Sequence, residues 1–177
     1  MTIDSVRQRF PTAGHEQRFW ALLEAAWAPL SAETNLARRE LSIRPLGAET
    51  DVEGLEEALE GFLDNVAAGC RGLSGEELTD LDRVLERKLY DLDREDIQAV
   101  TEGSDDGFLY ARGFVVAMGQ AYYDAVAAEP RLAVLDAECE DMCYFVAHLH
   151  QEQFGAFPAT GSGISRESCS NLSGWQH

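Results

Sequence analysis

Apolar residues recur along the chain at helical spacing, separated by short polar and glycine-bearing stretches. Trp20, Leu23, Trp27 and Leu30 fall at i, i+3, i+7 and i+10, on one face of a helix over residues 16–30. Residues 31–50 lose the period and carry Pro45 and Gly47, so they read as a connection with a short extended piece at 41–43. From Asp51, the positions of Leu55, Leu59, Phe62, Leu63 and Val66 predict a second helix, stopped near Gly69 and Gly72 because glycine readily adopts the left-handed backbone past a helix end.

Ser74 followed by Glu77 is a capping-box signature, and Leu78, Leu81, Leu85 and Leu89 continue a third helix behind it. A short phrase repeats there: residues 78–83 read LTDLDR and residues 89–94 read LYDLDR. Eleven residues are close to three helical turns, so the two copies face the same way. Two copies of that length are helix patterning, not a solenoid.

A fourth, short helix is expected over residues 93–100. Ser104 then caps a long fifth helix over 105–128, with Phe108, Ala111, Val115, Met118 and Tyr122 on one face and Pro130 as its stop. Gly113 and Gly119 each cost about 1 kcal/mol of helix propensity, which points to close approach of another helix or a ligand. A sixth helix over 132–153 turns Leu135, Met142, Phe145, Val146 and Leu149 inward. The expected fold is therefore all-α, a bundle of about six helices over residues 16–154. A flexible N-terminus (1–15) precedes it, and an irregular tail (155–177) follows, with Trp175 as a means of tying the tail back.

Composition narrows the function. The 177 residues carry 14 Lys and Arg against 32 Asp and Glu, a net charge of −18. That balance argues against nucleic acid and anionic membranes as partners, since their recognition uses a basic face. The charge is uneven: residues 1–44 are nearly neutral, whereas residues 51–106 hold 18 acids against five cations. Such a run is either a set of solvated helix faces or a patch for a cationic ligand or basic protein partner. Residues 1–14 hold no apolar stretch of the signal-peptide kind, and no apolar run reaches the ~20 residues that span a bilayer. The four cysteines include no Cys-x-x-Cys pair, so reduced thiols in a cytoplasm are expected.

Two stretches resemble a bacterial family of small helical proteins known only as a domain of unknown function. One is Phe19-Trp20 with Leu23. The other is Ser104-Asp105-Asp106-Gly107-Phe108 followed by Arg112-Gly113-Phe114, Gly119 and Tyr122-Tyr123. The likeness covers roughly residues 16–147, and Phe114 stands where many members carry Trp. The resemblance implies a helical fold and draws attention to the 104–112 turn; it implies no reaction.

Around that turn, Asp105 and Asp106 sit where carboxylates favour the positive end of a helix dipole. A ligand reading uses the same residues. Asp105 and Arg112 lie two turns apart, about 10 Å along the axis, so an acid at one end meets an amine while Arg112 at the other holds an anionic group. An amino-acid-like ligand satisfies both ends. Farther on, Asp141, Tyr144 and His148 fall at i, i+3 and i+7, a spacing at which a carboxylate or phenol orients an imidazole whose pKa suits proton transfer. The Gly-Ser turn of residues 160–165 together with Arg166 offers an anion cradle, set against the reading of a mobile tail.

Metal binding is not expected. Cys139, Cys143, His148 and His150 share one segment, but on a continuous helix positions 139 and 150 lie about 16 Å apart, far beyond one ion's reach. Asp91, Asp93, Glu95 and Glu102 match calcium-loop positions, yet Asp96 occupies the place that requires glycine.

Two functions remain open. The first is a cofactor-free binding domain that takes a small amine- or amino-acid-like ligand, or a protein partner, through Ser104, Asp105, Asp106, Arg112 and Arg166 and the acidic face of residues 76–96. The second is a metal-independent enzyme acting on an amine-bearing metabolite, with His148 and Asp106 in acid/base roles. That reading requires His148, Asp106 and Arg112 in one pocket. Assembly with a second copy or another chain is compatible with both.

Overall fold

The computed structural model describes residues 8–101 and 103–175; positions 1–7 of the expected flexible N-terminus, Glu102 and the last two positions lie outside the described residues. Eight α-helices and no strand occur among the described residues: α1 (Ala13–Trp27), α2 (Ala32–Glu40), α3 (Glu53–Cys70), α4 (Gly75–Asp91), α5 (Glu95–Thr101), α6 (Asp105–Ala117), α7 (Gln120–Ala128) and α8 (Phe145–Phe154). Short 3₁₀ turns intervene at Pro130–Leu132, Asp141–Tyr144 and Leu172–Gly174. The all-α class holds, with two helices more than the hydrophobic period predicts.

The core forms where the apolar stripes of α1, α3, α4 and α6 meet. Phe19, Leu23 and Trp27 of α1 close on Phe62 and Val66 of α3, Leu78, Leu85 and Leu89 of α4, and Phe108 and Phe114 of α6. Each such buried side chain contributes about 1.5–3 kcal/mol by leaving water. Trp27 stacks on Phe62 with ring centroids 4.5 Å apart and donates its indole N–H to the Ala117 carbonyl at 2.7 Å. Ser74 and Glu77 complete the capping box of α4, and the Ser104 hydroxyl accepts the Gly107 amide of α6.

The departures from the sequence-based expectation have identifiable causes. Residues 32–40, expected as connection, form α2 because polar side chains hold it. The Asn35 amide donates to the carbonyls of Trp27, Leu30 and Ser31, and Arg38 forks onto Glu24 at 2.8 Å while donating to the Met118 carbonyl. The extended piece at 41–43 is a turn.

The long fifth helix breaks into α6 and α7 at Met118 and Gly119. Trp27 and Arg38 take the Ala117 and Met118 carbonyls, two acceptors a continuing helix would use, and Gly119 turns the chain at φ 96°. A Cβ on Gly119 would lie 2.7 Å from a Glu24 oxygen and 2.9 Å from an Arg38 nitrogen.

The sixth helix is shortened to α8. Residues 133–140 run irregularly across α6, with the Cys139 amide on the Tyr110 carbonyl, so Leu135 is 51% exposed instead of inward. Gly113 permits the crossing, since a Cβ there would meet the Cys139 oxygen at 2.4 Å.

Beyond the left-handed Gly155 that ends α8, residues 155–175 lie along α4 as an irregular strap. Gln8 and Arg9 pack on it, with the Arg9 amide on the Gly161 carbonyl at 2.8 Å.

Candidate functional site

The repeated phrase in and after α4 explains how the strap is held. Asp82 stands four residues after Leu78 and three before Leu85, and Asp93 four after Leu89, so both aspartates fall on the line of apolar positions. A carboxylate on that line enters the protein and must find donors there. The strap supplies them.

Asp82, 2% exposed, takes both guanidinium nitrogens of Arg166, at 3.2 and 2.9 Å. Arg166 also donates to the Cys143 carbonyl at 2.7 Å, lies 3.8 Å from Glu86 and sits with its guanidinium carbon 4.8 Å from the Tyr144 ring centre. Burial pushes the Asp82 carboxyl up from its usual range, with the guanidinium pulling the other way. Glu86 accepts the hydroxyls of Thr160 and Ser162, and Arg83 donates to the Thr160 carbonyl at 2.6 Å.

Asp82, Glu86, Thr160 and Arg166 floor a cleft of about 570 Å³ between α4, α8 and the strap, walled by Tyr144, His148 and Phe157. The His148 ring centre lies 6.4 Å from that of Tyr144 and 5.9 Å from that of Phe157. The Tyr144 hydroxyl donates to Glu167, and burial with that carboxylate raises its phenol to about 12. Among the residues that line it, two carboxylates, Asp82 and Glu86, face one guanidinium, that of Arg166.

Asp93, fully buried, forms the second anchor. It accepts the successive backbone amides of Cys169, Ser170 and Asn171 at 2.7–3.0 Å and the Trp175 indole N–H at 3.0 Å.

The residues singled out in the sequence separate into three places. Arg166 and His148 meet in the cleft. Ser104, Asp105 and Asp106 are exposed at the start of α6, where Ser104 serves as the cap. Arg112 is fully buried, donating to the Leu89 carbonyl at 2.8 Å and the Ser168 hydroxyl at 3.0 Å, with its guanidinium carbon 4.7 Å from the Phe108 ring centre. Its Nε has no hydrogen-bond partner among the described residues, and burial lowers its pKa. Asp105 reaches Arg112 only through its backbone carbonyl, which accepts the Ser168 hydroxyl. The open clamp between Asp105 and Arg112 is therefore replaced by an interior guanidinium beneath the strap.

The acidic face of residues 76–96 also turns partly inward, with Asp82, Glu86 and Asp93 committed to the strap. Asp91 pairs with Arg87 at 2.8 Å. Cys139 and Cys143 are buried, their thiols raised to about 11 and 12 by burial, which keeps them protonated at neutral pH. His150 turns away from the cleft to the Ala156 carbonyl and the Phe154 ring. Among the described residues, no group of three His, Cys, Asp or Glu side chains is gathered to hold a metal, and no helix is long and apolar enough to cross a membrane.

Sequence reasoning missed Asp82, Glu86 and Phe157 as cleft residues, whereas Tyr144 stands beside His148 as their helical spacing suggests. A signal existed for Asp82 in its place on the apolar line of α4. None existed for Phe157, whose position depends on the path of an irregular segment.

A family model described as a protein of unknown function (DUF4240) matches residues 15–152. No curated protein and no solved structure matches the chain. The matched span includes Asp82, Glu86, Cys143 and Tyr144 and stops short of the strap.

Proposed function

Because the chain belongs to the DUF4240 family of proteins of unknown function, we propose a role from the site itself: a binding domain that takes a cationic, amine-bearing ligand with an apolar body in the cleft between α4, α8 and the strap. The observation that carries this reading is the excess of buried carboxylate, Asp82 and Glu86 against Arg166, beneath the rings of Tyr144, His148 and Phe157. A cation gains from the acids and from the aromatic faces, while an alkyl or aryl body packs against the wall that the rings form. The ligand class is the one expected for the 104–112 turn; its place is different.

The reading is non-catalytic. His148 shares the cleft with Tyr144 but not with Asp106 or Arg112, so the acid/base pair that an enzyme acting at the 104–112 turn requires does not assemble. A reducing cytoplasm suits a chain with four free cysteines, three of them buried.

The test is calorimetric titration of the full chain with agmatine, tyramine and putrescine, each beside a neutral alcohol of the same skeleton. Binding by the amines alone, weakened in Glu86→Gln, supports the reading. Equal heats for amines and alcohols, or no binding by any amine, overturn it.

A further inference from the structure

The surroundings of Arg166 form a complete recognition site for a guanidinium group. Asp82 meets it with two oxygens in fork geometry, the Cys143 carbonyl takes a further N–H, Glu86 stands 3.8 Å away, and the Tyr144 ring covers its face at 4.8 Å. Planar, bidentate and ring-stacked contacts of this kind suit a guanidinium and not an ammonium, which is a compact point charge without a fork or a flat face.

The four groups come from α4 and the 3₁₀ turn at Asp141–Tyr144, all within the family match of residues 15–152. The guanidinium that fills them comes from the strap, outside it. The cleft opens directly beside this position, since Asp82, Glu86, Tyr144 and Arg166 all line it. A second guanidino compound placed there therefore has space for its body in the cleft, against the rings of His148 and Phe157.

The strap's two anchors differ in kind. At Asp93, three of the four donors are backbone amides of consecutive residues, which no small cation replaces without pulling the chain away. At Asp82, the donor is one side chain, and an incoming guanidinium restores the same contacts.

We infer that the cleft's ligand is a guanidino compound, which binds by replacing Arg166 between Asp82, Glu86, the Cys143 carbonyl and the Tyr144 ring while the Asp93 anchor keeps the strap in place. Arg166 is then a built-in competitor. Its occupancy sets the affinity of the site, because a site free only a fraction of the time binds more weakly by that fraction. This rests on the cleft being the ligand site, and it adds the ligand's chemical class and the means by which access is controlled.

The test titrates the full chain with methylguanidine and, as the matched cation, methylammonium. Wild type is expected to bind methylguanidine more tightly than methylammonium. Arg166→Gln, which leaves the recognition groups without their internal guanidinium, is expected to bind methylguanidine about tenfold tighter or more, the gain for a site otherwise free about a tenth of the time. Asp82→Asn is expected to lose it.

Equal affinity in wild type and Arg166→Gln means that the ligand does not take the place of Arg166; the inference then fails while the cation-binding cleft stands. No binding of either cation to either protein removes both. Hydrogen exchange on the wild-type protein gives an answer that does not depend on the variant folding. Saturation with methylguanidine should speed exchange in residues 163–167 and leave the amides of Cys169, Ser170 and Asn171 protected. Unchanged exchange in 163–167 overturns the replacement.

Discussion

Asp82 and Asp93 occupy the same place in the two copies of a six-residue phrase repeated eleven residues apart, and both are bound by the same strap. Three helical turns bring them to one side of the protein, roughly 16 Å apart by the helical rise. One holds a side chain that can be replaced, the other a run of backbone. The phrase thus works as two docking points for residues 155–175, and the cleft lies beside the first.

Asp93→Ala should release the C-terminal half of the strap. Four N–H donors lose their acceptor, and hydrogen bonds to a buried charge are individually worth about 1.5–3 kcal/mol. The expected loss is about 3 kcal/mol in urea unfolding, with a red shift of Trp175 emission at urea concentrations below the main transition. Asp91→Ala, which removes a surface pair with Arg87, should cost about 0.5 kcal/mol or less. Similar losses for the two variants would refute the anchor.

Gly113→Ala should destabilise by about 1–3 kcal/mol, the usual cost of overpacking. The added carbon would sit 2.4 Å from the Cys139 backbone oxygen and 2.7 Å from the Cys143 sulfur, and a backbone carbonyl yields less readily than a flexible side chain. A thermal melt is sufficient to measure it; an unchanged or higher Tm would show that the crossing of residues 133–140 over α6 is not tight.

Acid should weaken the junction of α1, α2 and α7 through Glu24. Its hydrogen bonds to the Arg38 guanidinium hold the carboxyl below the ordinary value of 4.5. That contribution is fully present above the unfolded-state value and is lost as the pH falls through the lower, folded one. The stability difference between wild type and Glu24→Gln should therefore shrink as the pH drops from neutral to below 4.5. Asp82, which burial shifts upward, has the opposite slope but is common to both proteins and cancels. A difference that stays flat with pH would exclude the Arg38 pairing as the source.

Thiol labelling under mildly alkaline, native conditions should modify one cysteine in four. Cys169 is exposed, whereas Cys70, Cys139 and Cys143 are buried, with thiols raised to about 11, 11 and 12. Labelling of Cys143 at a comparable rate would mean that the packing of α6 against the Asp141–Tyr144 turn opens readily.

The sequence disclosed the fold wherever burial follows a period. The apolar faces of α1, α3 and α4 and the caps at Ser74 and Ser104 stand where spacing and cap chemistry put them. It concealed α2, whose order rests on Asn35 and Arg38 reaching carbonyls of other segments. It also concealed the break at Gly119, because the Trp27 and Arg38 side chains that end α6 lie about 80–90 positions earlier. The site was legible in pieces. Arg166 and His148 were visible as chemistry, and Asp82 as a charge on an apolar line, but their meeting depends on the path of a strap without periodicity. Arg112 misled because an arginine on a helix reads the same whether it faces a cleft or an interior.

The bonds that fasten the strap to α4 and Asp93 join positions 74 to 84 apart. Contacts across so long a loop form late in refolding, after the local helices. Until they do, the side of α4 awaiting the strap presents Asp82, Glu86 and Asp93 to water. A refolding chain at that stage shows its neighbours hydrated, mutually repelling carboxylates instead of a bare apolar surface, and so the charges that the finished protein buries protect the unfinished one from aggregation.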